Sequence, residues 1–170
     1  MYLIRNLIAL IKGNLKIKKL SHFFRVRIYH NGKIFISKNV LLMDGSIIKS
    51  GKNGQIIIEE NSAIGIRVRF SSSNGKILIS SYCRINQDSI LAGNILMSKH
   101  CVLSPRVSLI SDKHNFRDKN QTILENDKKY GLKIGQINLS SNVYIGANSI
   151  ILGNCDIDKN VIIDANCYLA

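Results

Sequence analysis

The last third of the chain repeats with a period of six. Ile145, Ile151, Ile157, Ile163 and Leu169 recur every six residues; Asn148, Asn154, Asn160 and Asn166 stand three positions after each of the first four, and Ser149, Cys155, Val161 and Cys167 one further on. A helix would space apolar residues three and four apart and a half-buried strand would alternate in twos, so a period of six belongs to a larger repeating unit. Three hexads make one triangular turn of a parallel β-helix. The aliphatic residue of each hexad points into the prism, and the slot four positions on takes a small or β-branched residue because it faces the same narrow interior. Asn suits the left-handed backbone conformation of a corner. One coil cannot bury its own core, so coils must stack.

The hexads begin at about Ile34 and run in triplets: Ile36, Leu42 and Ile48; Ile58, Ile64 and Phe70; Ile79, Ile85 and Leu91; Met97, Leu103 and Leu109. The count slips at Lys52–Gln55 and Asn74–Lys76, where Gly and polar residues mark bulged corners. Residues 111–133 then lose the register altogether, and the repeat resumes with Leu139, Ile145 and Ile151, followed by Ile157, Ile163 and Leu169. The reading is an all-β chain of about six coils with one extruded loop. A long excursion from a regular solenoid is more often functional than accidental.

Residues 1–33 are different material. Leu3, Ile4, Leu7, Ile8 and Ile11 sit at helical spacing among Arg5, Lys12, Lys16, Lys18 and Lys19, which predicts a basic amphipathic helix and connector. The apolar run is too short to span a bilayer and lacks a small-residue cleavage site. Such a helix either lies on an anionic membrane or caps the open end of the prism or a subunit contact.

A net charge of +13, with no acid before Asp44, calls for an anionic partner: a phosphorylated cofactor, a membrane surface or nucleic acid. No aromatic-basic reading surface supports nucleic acid. Cys83, Cys101, Cys155 and Cys167 all occupy small inward slots and lack metal-ligand spacing, so they are read as reduced core residues in a cytoplasmic protein, with no metal expected.

His114 opens the extruded loop and is the candidate general base, since an imidazole near its ordinary pKa takes a proton from an alcohol or amine at neutral pH. Asp112 or Asp118 is near enough in sequence to fix its tautomer, and spacing does not choose between them.

The hexads, the segment VLSPRVSLISDKHNFRD from Val102 to Asp118, and VYIGANSIILGN from Val143 to Asn154 resemble the hexapeptide-repeat O-acetyltransferases, including the galactoside, maltose, nodulation-factor and polysaccharide acetyltransferases. The resemblance implies a left-handed parallel β-helix, assembled as a homotrimer with sites between subunits, that transfers acetyl from acetyl-CoA to a sugar hydroxyl in surface polysaccharide or lipopolysaccharide synthesis. It implies His114 as the catalytic base and Asn86, in RINQD, as a residue holding acceptor or thioester. Tyr144 stands where the family commonly has Trp. Gly146 and Ala147 match the IGA turn that lets the cofactor approach the backbone, and Ala165 occupies the equivalent corner one coil later. The sequence has Gly153–Asn154 where the family often has Pro-Gly, one loop histidine where some relatives have two, and ends at Ala170 before the coil and tail that relatives use to close the cofactor site.

Two other readings stay open: N-acetylation of an amino sugar or nucleotide sugar, which the same base would serve, and a non-catalytic β-helix that only binds. A metal-dependent hydratase is disfavoured, because His22, His30, His100 and His114 do not show the arrangement it requires. Deleting residues 1–20 should abolish partition into anionic vesicles if the N-terminal helix lies on membrane; unchanged partition in a sedimentation assay would leave the capping role.

Overall fold

The computed structural model describes residues 25–170, together with the backbone of Leu15–Ile17 and His22–Phe23. The helix expected at the start of the chain lies outside the described residues. The remainder winds into a parallel β-helix of seven coils with three seven-stranded faces, each strand pairing in parallel with its counterpart one coil away. The first coil is the one not anticipated. Its strands, Leu15–Ile17, His22–Phe23 and Arg27–His30, pair with the coil that opens at Lys33, so the solenoid starts before Ile34.

The hexad residues stack in three inward columns. On the first face the inward register runs Ile36, Ile58, Ile79, Met97, Leu139 and Ile157, with the backbone of Ile17 paired to Ile36. The second aligns Leu42, Ile64, Ile85, Leu103, Ile145 and Ile163, with the backbone of Phe23 paired to Leu42, and the third Ile28, Ile48, Phe70, Leu91, Leu109, Ile151 and Leu169. From Ile34 to Ile151 these residues are essentially inaccessible to solvent. In the seventh coil cover comes from below only: Ile163 is half-buried and Leu169 is 37% exposed. Cys83 and Cys101 are buried as expected, whereas Cys155 and Cys167 are only partly so; all four are free thiols. Cys83 donates to the Ser98 carbonyl at 3.1 Å and Cys101 to that of Ser140 at 3.0 Å.

Each regular corner holds one residue at positive φ, a requirement for which Asn is well suited. Asn39, Asn61, Asn142 and Asn160 serve between the first and second faces, and Asn148 and Asn166 between the second and third. At the corner of Asn154 the expectation fails, because Gly153 carries the positive φ (77°). Larger residues also adopt φ near +60°, and neighbouring coils hold them in pairs. Arg67 makes a bidentate ion pair with Asp88 at 2.7 and 2.8 Å, Tyr82 stacks on His100 with centroids 5.3 Å apart, and Arg106 donates to Asn148 at 2.6 Å. The expected bulge at 52–55 is a turn in which the Gly54 N–H donates to the Gly51 carbonyl, while the Ser50 hydroxyl donates to the Gly54 carbonyl.

Because each coil is held only by its neighbours, truncation costs should track cover. Leu103→Ala, fully buried between two coils, is expected to lose about 2–5 kcal/mol in urea denaturation, and Leu169→Ala well under half as much. Equal losses would contradict this packing.

Candidate functional site

The excursion predicted at 111–133 leaves the third face and rejoins the first, so it springs from the edge between them. Its neck is closed by reciprocal backbone bonds: the Lys113 N–H donates to the Lys133 carbonyl at 3.0 Å and the Lys133 N–H to the Lys113 carbonyl at 2.8 Å. The stretch lacks hexad register, as its sequence implies, yet it contains a helix, α1 (Ile123–Tyr130). The signal was present as Thr122-x-x-Glu125. The Thr122 hydroxyl accepts from the Glu125 N–H, and the Glu125 carboxylate accepts from the Thr122 N–H, a complete capping box. Gly131 ends the helix at φ +73°, its N–H donating to the Asp127 carbonyl.

Asn126 organises the loop from inside. Fully buried, its amide accepts from the Asp118 N–H at 2.8 Å and donates to the carbonyls of Asp118, Thr122 and Gln121. This pins the extended segment before α1 against the helix. One consequence is that Asp127, the next residue, meets His114.

His114 Nδ1 lies 2.5 Å from Asp127 Oδ2, and the other carboxylate oxygen accepts from the Asn115 N–H at 2.7 Å. The Asn115 N–H, and then the His114 ring, hold Asp127 below the usual carboxylate range. An ionised carboxylate only accepts, so the neutral imidazole carries its proton on Nδ1 and its lone pair on Nε2. The His114 side chain is 70% exposed, while that of Asp127 is 16% exposed. Neither Asp112 nor Asp118 partners the ring. Asp112 accepts from the Ser111 hydroxyl, and Asp118 accepts from the Asn120 N–H. The carboxylate on α1, thirteen residues away in sequence, takes that role instead.

The other residues singled out from sequence gather on a different edge. Asn86, Gly146, Ala147 and Ala165 lie at or beside the corners where the second face turns into the third, and Tyr144 lies on the adjoining strand. A single outward column on this edge runs Met43, Gly65, Asn86, Ser104, Gly146 and Asp164, its backbone bonds passing from coil to coil. Asn86 donates to the Leu103 carbonyl at 2.8 Å, leaving its amide oxygen as an acceptor. The Tyr144 hydroxyl accepts from Ser104 at 2.7 Å. Gly146 is imposed by stacking: a Cβ there would lie 2.4 Å from the Ala165 nitrogen. On one chain, therefore, His114 does not share an edge with Asn86 or the Gly146 turn.

Among the described residues no group of three or more His, Cys, Asp or Glu side chains could hold a metal ion, and no helix is long and apolar enough to cross a membrane.

No family model matches the chain, and no curated protein does. Among solved structures it is similar to AntD, an N-acyltransferase from Bacillus cereus. A point variant of AntD in complex with dTDP and coenzyme A aligns at TM-score 0.57 and 20% identity, covering 96% of this chain and 78% of that one. A second variant, with dTDP-4-amino-4,6-dideoxyglucose and coenzyme A, aligns at 0.54 and 23%, covering 96% and 80%. AntD with dTDP and 3-hydroxybutyryl-CoA aligns at 0.52 and 20%, covering 96% and 77%. At these identities the likeness shows the fold.

Because Asp127 has a lowered pKa, the order it lends the loop is fully present above the ordinary carboxylate value near 4 and is lost as pH falls through the lower, folded value. The Asn115 amide resonance should hold steady down to about pH 4 and move below it. Movement beginning near neutrality would contradict ionised Asp127 as its acceptor.

Proposed function

We propose that this chain is an acyltransferase that moves an acyl group from an acyl-coenzyme A to a hydroxyl or amine of a sugar. The observation that carries the reading is the imidazole of His114 oriented by Asp127 on an exposed loop. The solved complexes of the structurally similar AntD, which hold coenzyme A and a dTDP-amino sugar, support it.

In this reading Nε2 accepts the proton of the acceptor O–H or N–H as that oxygen or nitrogen attacks the thioester carbonyl. The tetrahedral oxyanion is met by a backbone N–H donor of a coil corner. Its collapse breaks the carbon–sulfur bond, and the imidazolium returns the proton to the departing thiolate. Asp127 stays ionised and stabilises the imidazolium that forms between the two transfers.

His114 and the column of Asn86 and Gly146 occupy different edges of one chain, so the reading places the reaction between copies, His114 from one facing the Asn86 edge of the next. A homotrimer is the assembly that the resemblance implies. Asn86 would hold acceptor or thioester; Tyr144, Gly146, Ala147 and Ala165 would line the donor's path. O-acetylation from acetyl-CoA, on a glycan sugar, follows from the hexapeptide-repeat resemblance. Transfer to an amine, with a longer acyl group as an equal option, is favoured by the AntD complexes with an amino sugar and 3-hydroxybutyryl-CoA.

The test is acyl transfer from acetyl-CoA and 3-hydroxybutyryl-CoA to a panel of hydroxyl and amino sugars, free and nucleotide-linked. His114→Ala should keep its circular dichroism spectrum and lose about two to four orders of magnitude in turnover; Asp127→Asn should lose a smaller part. Unchanged turnover in His114→Ala would remove the base and leave a binding solenoid.

A further inference from the structure

The outer surface of the second face is not uniform along the column of Met43, Gly65, Asn86, Ser104, Gly146 and Asp164. Above Asn86 the surface is filled by Tyr144 and by Val102, beneath it in register. Below Asn86 it is hollow, over the second to fourth coils, and forms a groove of about 380 Å³. That volume falls within the range of sites that hold small molecules. Its floor is Ala63 and Gly65, two positions with almost no side chain. Gly65 is fixed by stacking, since a Cβ there would lie 2.8 Å from the Gln87 nitrogen. Met43 and Ile66 form apolar walls, each more than a third exposed. At the upper end stand Arg84, directly above Ala63 in register, and Asn86.

The polar groups at that end have a definite character. Arg84 is exposed, and no carboxylate pairs with it among the described residues. The arginines of the adjoining corner are already engaged, Arg67 by Asp88 and Arg106 by Asn148. Arg84 is thus a cation available to a ligand, at the mouth of an apolar trough. Asn86 adds an amide oxygen whose own N–H group is committed to Leu103. An apolar trough ending in a guanidinium fits a flat, uncharged ring joined to a phosphate, because guanidinium binds phosphate oxygens in bidentate fashion. Two carboxylates lie nearby: Asp88, beside Gln87, is taken up by Arg67, and Asp44, beside Met43, is at the far end of the trough from Arg84.

We propose that this groove binds the nucleoside diphosphate of a nucleotide-linked sugar, with the base over Ala63 between Met43 and Ile66 and the diphosphate at Arg84. The inference rests on the acyltransferase reading and assigns a new site within it. The acceptor is held by its nucleotide in the second to fourth coils, and its sugar extends along the same edge past Asn86 toward the Gly146 turn. With coils about 4.8 Å apart, the centre of the groove and Gly146 are separated by roughly 14 Å, room for the diphosphate and a sugar ring.

The chain offers a built-in reporter. It has three methionines, of which Met43 lines the groove and Met97 is sealed in the core. Methyl-labelled methionine gives a resonance for each, with Met43→Leu as the assignment. Titrating the full chain with dTDP should move the Met43 signal saturably and leave Met97 in place. Arg84→Gln, a surface change that leaves the fold intact, should weaken the response about tenfold. Thymidine should bind more weakly than dTDP. Several outcomes would overturn the site: no movement with dTDP, an equal response to inorganic pyrophosphate, a response to coenzyme A but not dTDP, or a Met43 signal that moves only with protein concentration, which would assign the groove to a second copy. If dTDP fails while acyl transfer still depends on His114, the site falls and the acyltransferase reading stands. Loss of that dependence, with dTDP still moving Met43, would strike the reading alone.

Discussion

The structure depends on backbone hydrogen bonds that leave each coil and end on the next. Parallel pairing in register welds every position to a column, so the choice of residue in one coil is constrained by the residues directly above and below it. The inward columns answer this with Ile and Leu, one Met (Met97) and one Phe (Phe70) among the residues whose side chains are described, and the corner columns answer it with side chains that pair along the axis. Asn–Asn contacts are the simplest of these. Where a bulkier residue takes the left-handed corner, an ion pair or a ring stack joins it to its neighbour, as with Arg67 and Asp88 or Tyr82 and His100. These contacts offset conformations that cost about 1–2 kcal/mol each.

The loop of residues 111–133 escapes the column rule and needs its own organisation. A capping box starts its helix, a glycine stops it, and the buried Asn126 ties it to the segment that bears His114. The histidine's orientation is therefore inherited from the helix, through Asp127. A base so exposed depends on this second anchor, since few packed neighbours restrain its ring. The edge carrying Asn86 and Gly146 is built on the rigid solenoid. In the proposed reaction an exposed base, oriented by Asp127, meets a surface built on the solenoid, which separates acceptor recognition from proton transfer.

Much of the fold was legible because the solenoid writes its geometry into the sequence at a fixed period. The inward triplets from Ile36 to Leu169 were readable one by one, and so was the exposed loop with His114. Other features left weaker traces. The coil before Ile34 was obscured by the basic residues around it and by its short strands. Helix α1 was signalled by Thr122 and Glu125, but its polar sequence, ILENDKKY, has no apolar stripe to mark a period. Asp127 could not be paired with His114 from spacing, since the contact depends on how Asn126 folds the loop back. The separation of His114 from Asn86 onto different edges was implicit in the register, since Asn86 follows the second residue of its triplet, Ile85, and the loop follows the third residue of the next, Leu109. Gly146, matched to a cofactor turn, is also required by the coil above it, and stacking alone explains its identity.

The central claim is that this solenoid uses an acyl-coenzyme A as donor. Calorimetric titration of the purified chain with coenzyme A and with acetyl- and 3-hydroxybutyryl-CoA tests it without knowledge of the acceptor. Saturable binding of one donor per chain, in the micromolar to low-millimolar range and tightened by an acyl group the site accepts, is the predicted result. Absence of heat for every thioester, with the chain folded, would contradict the assignment and leave a β-helix that serves some other purpose.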